Sequence, residues 1–386
     1  MIPSRLLALM AVLTTVTLLV HGYLGARLIG PSGLTGPART VAWAGVFGCA
    51  MLMPVAMSAR FWMRPPYAEG AAWVGFVAMG LFSVVLTLTV LRDLGWLLLS
   101  STPVVPADPE RRFALLRLSN TALLGLTGIA AVVGTAAARK RADVVDVKVP
   151  IKDLSPALEG FTIVQLSDVH VGPTIKKGYI DAIVDAVNEL SADAIAITGD
   201  LVDGSVAELS PHTAPLGRLK ARHGVYFCTG NHDYYSGALP WIDEVRRLGM
   251  QPLLNEHVVI VHNGARVVVA GVNDYTAEQF VPEHRSDPKK AVHGAPADAV
   301  KILLAHQPRS CADAAGCGYH LQLSGHTHGG QIFPWMFFVQ MQQPYVAGLD
   351  RHENLWVYTS RGTGYWGPPL RLGAPSEITR LTLVRA

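Results

Sequence analysis

Asp168, His170, Asp200, Asn231, His232, His306, His326 and His328 are the residues of this chain whose types and order could do chemistry together. Carboxylates, imidazoles and a carboxamide, with no thiolate among them, make a mixed oxygen and nitrogen donor set that suits manganese, iron, zinc or nickel ions. Two such ions about 3.5 to 4 Å apart need a bridging carboxylate, and a pair can clamp both the attacking and the leaving oxygen of a phosphoryl transfer. Singly, each element is weak. Asp-x-His recurs by chance, a histidine after a strand is usually a core or surface residue, and Gly230-Asn231-His232-Asp233 can be merely a turn. His262, His293, His320 and His352 fit no pattern and read as ordinary core or surface histidines.

The elements that must position the set are short apolar, β-rich runs ending in polar, glycine-containing turns. Strands are expected at 161–166, 194–198, 225–229, 258–261, 267–270, 302–305 and 321–323. A helix over 177–190 carries Ile180, Ile183, Val184, Val187 and Leu190 on one face. This alternation, from Val144 onward, predicts an α/β domain. Its candidate ligands follow strand ends, and ligands of open α/β sheets bind at the carboxyl ends of strands, so distant loops would converge on one cleft.

The ordered series Asp168-Val-His170, Gly199-Asp200-Leu-Val-Asp203, Gly230-Asn231-His232-Asp233, His306 and Gly325-His326-Thr-His328 resembles the calcineurin-like metallophosphoesterase superfamily, from roughly Val144 to the C-terminus. The resemblance implies a four-layer αββα sandwich holding two divalent metal ions (Mn, Fe, Zn or Ni). One ion would be held by Asp168, His170, Asp200 and His328, the other by Asp200, Asn231, His306 and His326, with Asp200 as the bridge. It further implies attack by a metal-bridging hydroxide, with His232 as the catalytic residue at the leaving oxygen. Asp233 would orient His232, or else be a turn-forming aspartate.

Ser167-Asp168-Val-His170-Val-Gly172, Gly325-His326-Thr-His328-Gly-Gly-Gln331 and the run from Ser360 to Arg371 are similar to a bacterial membrane-associated group that includes UDP-diacylglucosamine pyrophosphatases. The implied substrate is a phosphodiester or pyrophosphate, lipid-linked or nucleotide. The arginine that protein serine/threonine phosphatases place just after the position of Asp203 is missing, which disfavours a phosphoprotein substrate. A non-catalytic metal-binding scaffold is the rival class, and the presence of His232 argues against it. Phe333, Trp335, Met336, Phe337, Phe338 and Met341, directly after the last ligand block, either face a bilayer or acyl chain or fill the core between sheets. Tyr365, Trp366, Pro368 and Pro369 carry the same two readings, and Arg361 and Arg371 could meet an anionic headgroup.

Half of the 386 residues are hydrophobic, unevenly placed. Four stretches, at 6–28, 41–58, 71–91 and 118–138, reach the roughly 20 apolar residues that cross a bilayer core, so residues 1–141 are expected to be a four-helix transmembrane anchor and 142–386 the catalytic domain. Arg60, Arg64, Tyr67, Trp73 and Trp96 flank the spans as interface residues should. Loop charges divide evenly, with Arg5 among them, and the Arg139-Lys140-Arg141 triplet tips the expectation toward a cytoplasmic catalytic domain at the inner membrane. His21, Arg92 and Asp93 are too few to suggest a transporter. A net charge of +3, without a long basic block, argues against nucleic acid, and the four cysteines are expected to be free thiols.

Overall fold

The computed structural model describes residues 4–59, 63–64, 67–100, 102 and 108–386. The chain forms two compact units, Met1–Gly134 and Thr135–Ala386. Among the described residues the N-terminal region runs through four α-helices, α1 (Ser4–Ile29), α2 (Gly36–Ser58), α3 (Tyr67–Leu99) and α4 (Pro109–Arg139). Among the described residues three helices are long and apolar enough to cross a membrane: Gly36–Ala56, Tyr67–Leu99 and Pro109–Arg139. The first expected span coincides with α1, many of whose side chains, Arg5 included, lie outside the described residues, as does Arg60.

Leu97, Leu98, Ile129 and Val132 are exposed, as lipid-facing side chains are. α2 and α3 meet where Gly75 leaves room: a Cβ there would stand 2.6 Å from the Leu52 carbonyl oxygen and collide with Ala56. The polar groups are neutralised locally. Asp93 accepts from Tyr23 Oη at 2.7 Å, Arg27 Nε at 2.5 Å and Arg92 Nη2 at 2.8 Å, while His21 stacks on Phe82.

The second unit is built on two six-stranded sheets. The first has β1 (Asp143–Ile151), β2 (Thr162–Leu166), β3 (Ala194–Thr198), β4 (Val225–Cys228), β5 (Gln251–Pro252) and β12 (Glu377–Arg385), ordered 1-12-2-3-4-5. The second has β6 (Glu256–His262), β7 (Ala265–Gly271), β8 (Val300–Leu304), β9 (Leu321–Ser324), β10 (Gly348–His352) and β11 (Leu355–Thr359), ordered 10-11-9-8-7-6. Within the first sheet β2 to β5 are parallel, and so are β7, β8, β9 and β11 in the second.

Strand periodicity of two assigns each residue a face. In β3, Ala194 and Ala196 face the core between the sheets, whereas Ile195 and Ile197 face an outer core. In β7, Val267 and Val269 point inward and Val268 and Ala270 outward. Both faces are covered, which is why these parallel strands read as continuous apolar runs. The outer face of the first sheet is covered by α5 (Lys177–Glu189), α6 (Val206–Thr213) and α8 (Ala238–Arg247), with the five-residue helix α7 (Asn231–Tyr235) between the last two in sequence. On α5 the expected face is the buried one, through Ile180, Ile183, Val184 and Val187, with Leu190 partly buried beyond its end. Short helices at Pro288–Val292 and Cys311–Ala314 cover the second sheet.

Candidate metal centre

Every expected donor sits where a strand ends. Asp168 and His170 follow β2, Asp200 follows β3, Asn231 and His232 open α7 just after β4, His306 follows β8, and His326 and His328 follow β9. To turn the side chains into one cleft, the backbone leaves ordinary strand conformation. Asp168, His170, Asp200, His326 and His328 all have positive φ, between 51° and 70°. Such angles cost energy in non-glycine residues and concentrate at functional sites. The glycines between them make the close approach possible: a Cβ on Gly230 would lie 2.4 Å from the Asp200 amide nitrogen, and one on Gly325 would strike Ser167 Oγ and Asp168 Oδ2.

The donors come together in overlapping groups whose candidate ligand atoms lie within 4.8 Å of one another: Asp168, His170 and His328; His170, Asp200 and His232; and Asp200, His306 and His326. His170 Nε2 faces His328 Nε2 at 3.0 Å, and His326 Nδ1 faces His306 Nε2 at 3.3 Å. Asp200 lies between the groups, with Oδ2 3.1 Å from His306 Nε2 and 3.9 Å from His170 Nε2. Asn231 is buried beside them, and its Oδ1 has no hydrogen-bond partner among the described residues. A buried carboxamide oxygen left unpaired costs about 1 to 3 kcal/mol. Opposed imidazole nitrogens, a shared carboxylate and an orphan oxygen acceptor are a donor set that divalent ions would satisfy.

Protonation follows the same logic. Burial, reinforced by charge on His306, pushes His326 down to about 3. Burial, with His170 and Arg371 nearby, holds His328 well below its ordinary value. Both are therefore neutral, the state in which imidazole binds a metal. Burial opposes charge on His306, yet Asp200 and Asp168 outweigh it and raise its pKa well above the usual range.

His232 Nδ1 contacts Asp203 Oδ1 at 2.6 Å, and His170 Nδ1 contacts Asp203 Oδ2 at 3.0 Å. One carboxylate thus orients both rings. Burial lowers the pKa of His232, but the carboxylates of Asp200 and Asp203 overcome it and raise the imidazole to about 9. The role expected of Asp233 belongs to Asp203 instead: Asp233 accepts from the amides of Gly230 at 2.7 Å, Leu201 at 2.9 Å and Asp200 at 3.1 Å, and so ties two ligand loops together.

Arg371 was a second residue whose place sequence did not indicate. It is buried, donates to the carbonyls of Ala374 at 2.8 Å and His328 at 3.3 Å, and lies 3.2 Å from His328 Nδ1, so it braces a ligand loop and does not reach for a headgroup. Arg361 pairs with buried Glu377 at 2.7 Å. The aromatic run resolves the other way. Phe333, Trp335, Phe337, Phe338 and Met341 are 40% to 84% exposed and fill no core, whereas Tyr365 and Leu370 are buried. Trp366 lies edge-on to His232.

The family model described as calcineurin-like phosphoesterase matches residues 161–330, which hold every one of these donors. The chain is similar to a transmembrane protein with metallophosphoesterase domain from Danio rerio, 39% identical over 68% of this chain and 62% of that one. It is also similar to an uncharacterized metallophosphoesterase of Helicobacter pylori, 40% identical over 58% of this chain and 59% of that one. The chain thus spans about three-fifths of the length of these relatives. A solved structure, that of a 5'-nucleotidase precursor from Thermus thermophilus, is similar with a TM-score of 0.38 and 15% identity, over 57% of this chain and 54% of that one.

Proposed function

Because the second unit is a member of the calcineurin-like metallophosphoesterase superfamily, a class of metal-dependent phosphoester hydrolases, we propose that the chain is a membrane-anchored hydrolase of phosphodiester or pyrophosphate bonds. In this reading residues 1–141 form an anchor of four spans, and residues 142–386 carry out the reaction on the cytoplasmic side of an inner membrane.

The observation that carries the proposal is the pairing of two imidazole-carboxylate groups around Asp200 with the unpartnered oxygen of Asn231. Asp168, His170, Asp200 and His328 would hold one ion, and Asp200, Asn231, His306 and His326 the second. Bound divalent ions would supply a nucleophilic water at neutral pH and neutralise charge on the phosphoryl oxygens. The chain's own residues do the rest. His232, kept protonated by its carboxylate neighbours, delivers a proton to the departing oxygen. Asp203 holds that ring by Nδ1 and leaves Nε2 to face the substrate. The exposed run from Phe333 to Met341 supports a substrate presented at a membrane, where such side chains lose contact with water as an acyl chain or the bilayer covers them.

The test is hydrolysis of bis-p-nitrophenyl phosphate and p-nitrophenyl phosphate by the full chain in detergent, with manganese or with chelator, beside His232→Ala. Manganese-dependent diester cleavage that falls by about 10²- to 10⁴-fold in the variant is expected. Metal binding without cleavage of either compound or of lipid diesters would favour the scaffold reading.

A further inference from the structure

We infer that Asp193, His223 and His262 form a separate metal site that takes one zinc ion and clips the two sheets of this unit together. Asp193 immediately precedes β3 and Asp200 follows it, so the full strand, roughly 3.3 Å per residue, separates this cluster from the one described above. His223 stands just before β4, and His262 is the last residue of β6 in the opposite sheet.

The ligand atoms of the three residues lie within 4.8 Å of one another. His223 Nε2 is 3.1 Å from His262 Nδ1, which is 3.6 Å from Asp193 Oδ1. Bonds of 2.0 to 2.1 Å to a tetrahedral zinc ion place neighbouring ligand atoms about 3.3 Å apart, between these two distances. Without a cation the arrangement is poorly satisfied. A proton on His262 Nδ1 can be given to His223 or to Asp193 but not fully to both, and a proton on His223 Nε2 instead leaves the His262 Nδ1 lone pair facing the carboxylate. One divalent ion accepts all three lone pairs. Two imidazoles and one carboxylate, with the remaining position open to water, are a zinc donor set.

The surroundings hold the donors in place. Asp193 Oδ2 accepts from Thr162 N at 2.9 Å and Thr162 Oγ1 at 3.1 Å, leaving Oδ1 for the histidines. Phe161 stacks on His223 and meets His262 edge-on, and Tyr226 Oη donates to the His223 carbonyl at 2.6 Å. The competing charge is Arg222, whose Nη1 lies 3.9 Å from Asp193 Oδ1, but that side chain is largely exposed and can turn to solvent. Metal-ligand carboxylates and rings fixed in this way are what a preformed site requires.

The experiment loads the chelator-stripped full chain in detergent with zinc, removes excess, and counts zinc per chain by mass spectrometry. Wild type, His262→Ala, His223→Gln and Asp200→Asn are compared, with a thermal melt followed by circular dichroism. His262→Ala and His223→Gln should each lose one zinc equivalent and part of the zinc-dependent rise in Tm, while Asp200→Asn retains that equivalent. Equal zinc content in wild type and in a folded His223→Gln variant would overturn the site, whether or not the other cluster hydrolyses anything. His223→Gln replaces a partly exposed side chain, so it stays readable should His262→Ala fail to fold.

Discussion

Replacing Asp203 by Asn changes few atoms and should disable both rings that Asp203 serves. The carboxylate contacts His232 Nδ1 at 2.6 Å and His170 Nδ1 at 3.0 Å, one oxygen to each. As acceptor only, it fixes a proton on Nδ1 of both imidazoles and so keeps the His170 Nε2 lone pair free. A carboxamide has a single acceptor oxygen, so its NH2 group must oppose one of the two N–H groups. That ring can then turn away or move its proton to Nε2, which for His170 removes the ligand lone pair. Loss of a partner that orients a metal ligand typically costs 10- to 100-fold in metal affinity or activity, about 1.4 to 2.7 kcal/mol. A second effect follows from charge. With Asp203 neutral, His232 falls from about 9 toward its ordinary 6.5, so the alkaline limb of the kcat profile should move to lower pH. The assay is manganese-dependent diester hydrolysis across pH, together with manganese affinity by calorimetry. Wild-type kcat/KM, affinity and pH profile in Asp203→Asn would show that Asp203 orients neither ring.

Other outcomes follow from the same geometry. Because Asp200 and its neighbours hold the pKa of His306 above its ordinary value, the metal-free chain binds a proton there at neutral pH that a metal must displace; manganese affinity should therefore tighten as pH rises, and calorimetry in buffers of different ionisation enthalpy should report proton release. Gly325→Ala would drive a methyl group into Ser167 Oγ and Asp168 Oδ2, and should lower metal content and cut hydrolysis by at least about 100-fold, read by metal analysis and turnover. Phe337→Asp and Phe338→Asp alter exposed positions, so Tm and hydrolysis of a soluble diester should hold while hydrolysis of a diester embedded in vesicles drops; equal loss on both substrates would detach the aromatic run from the membrane.

Much of the site was legible because chemistry and topology coincide in it. Asp168, Asp200, Asn231, His306 and His326 each stand just after a short, buried strand, and parallel strands bring those ends to one edge. Less legible were β1 and β12, where Asp146, Lys148 and Arg380 alternate with apolar residues and blur the run; each strand buries one face and leaves part of the other to solvent. The hairpin from β6 to β7 is longer than expected because Asn263 and Gly264, both at positive φ, close a tight turn that carries pairing out to His262 and Ala265. The exchange of roles between Asp203 and Asp233 lay beyond sequence, since both are short acids in ligand loops and only the path of the backbone decides which carboxylate meets imidazole and which meets amides. Composition was equally silent on Phe333 to Met341, because an exposed aromatic run and a core one are written in the same residues.

The central claim is that two ions share Asp200 and that hydrolysis depends on the pair. Electron paramagnetic resonance of the manganese-loaded full chain in detergent, recorded beside its diester turnover, tests it most directly. An exchange-coupled signal from neighbouring manganese ions is expected to grow in step with activity and to disappear with it in Asp200→Asn. Spectra of isolated ions only, with turnover unaffected by Asp200→Asn, would contradict it.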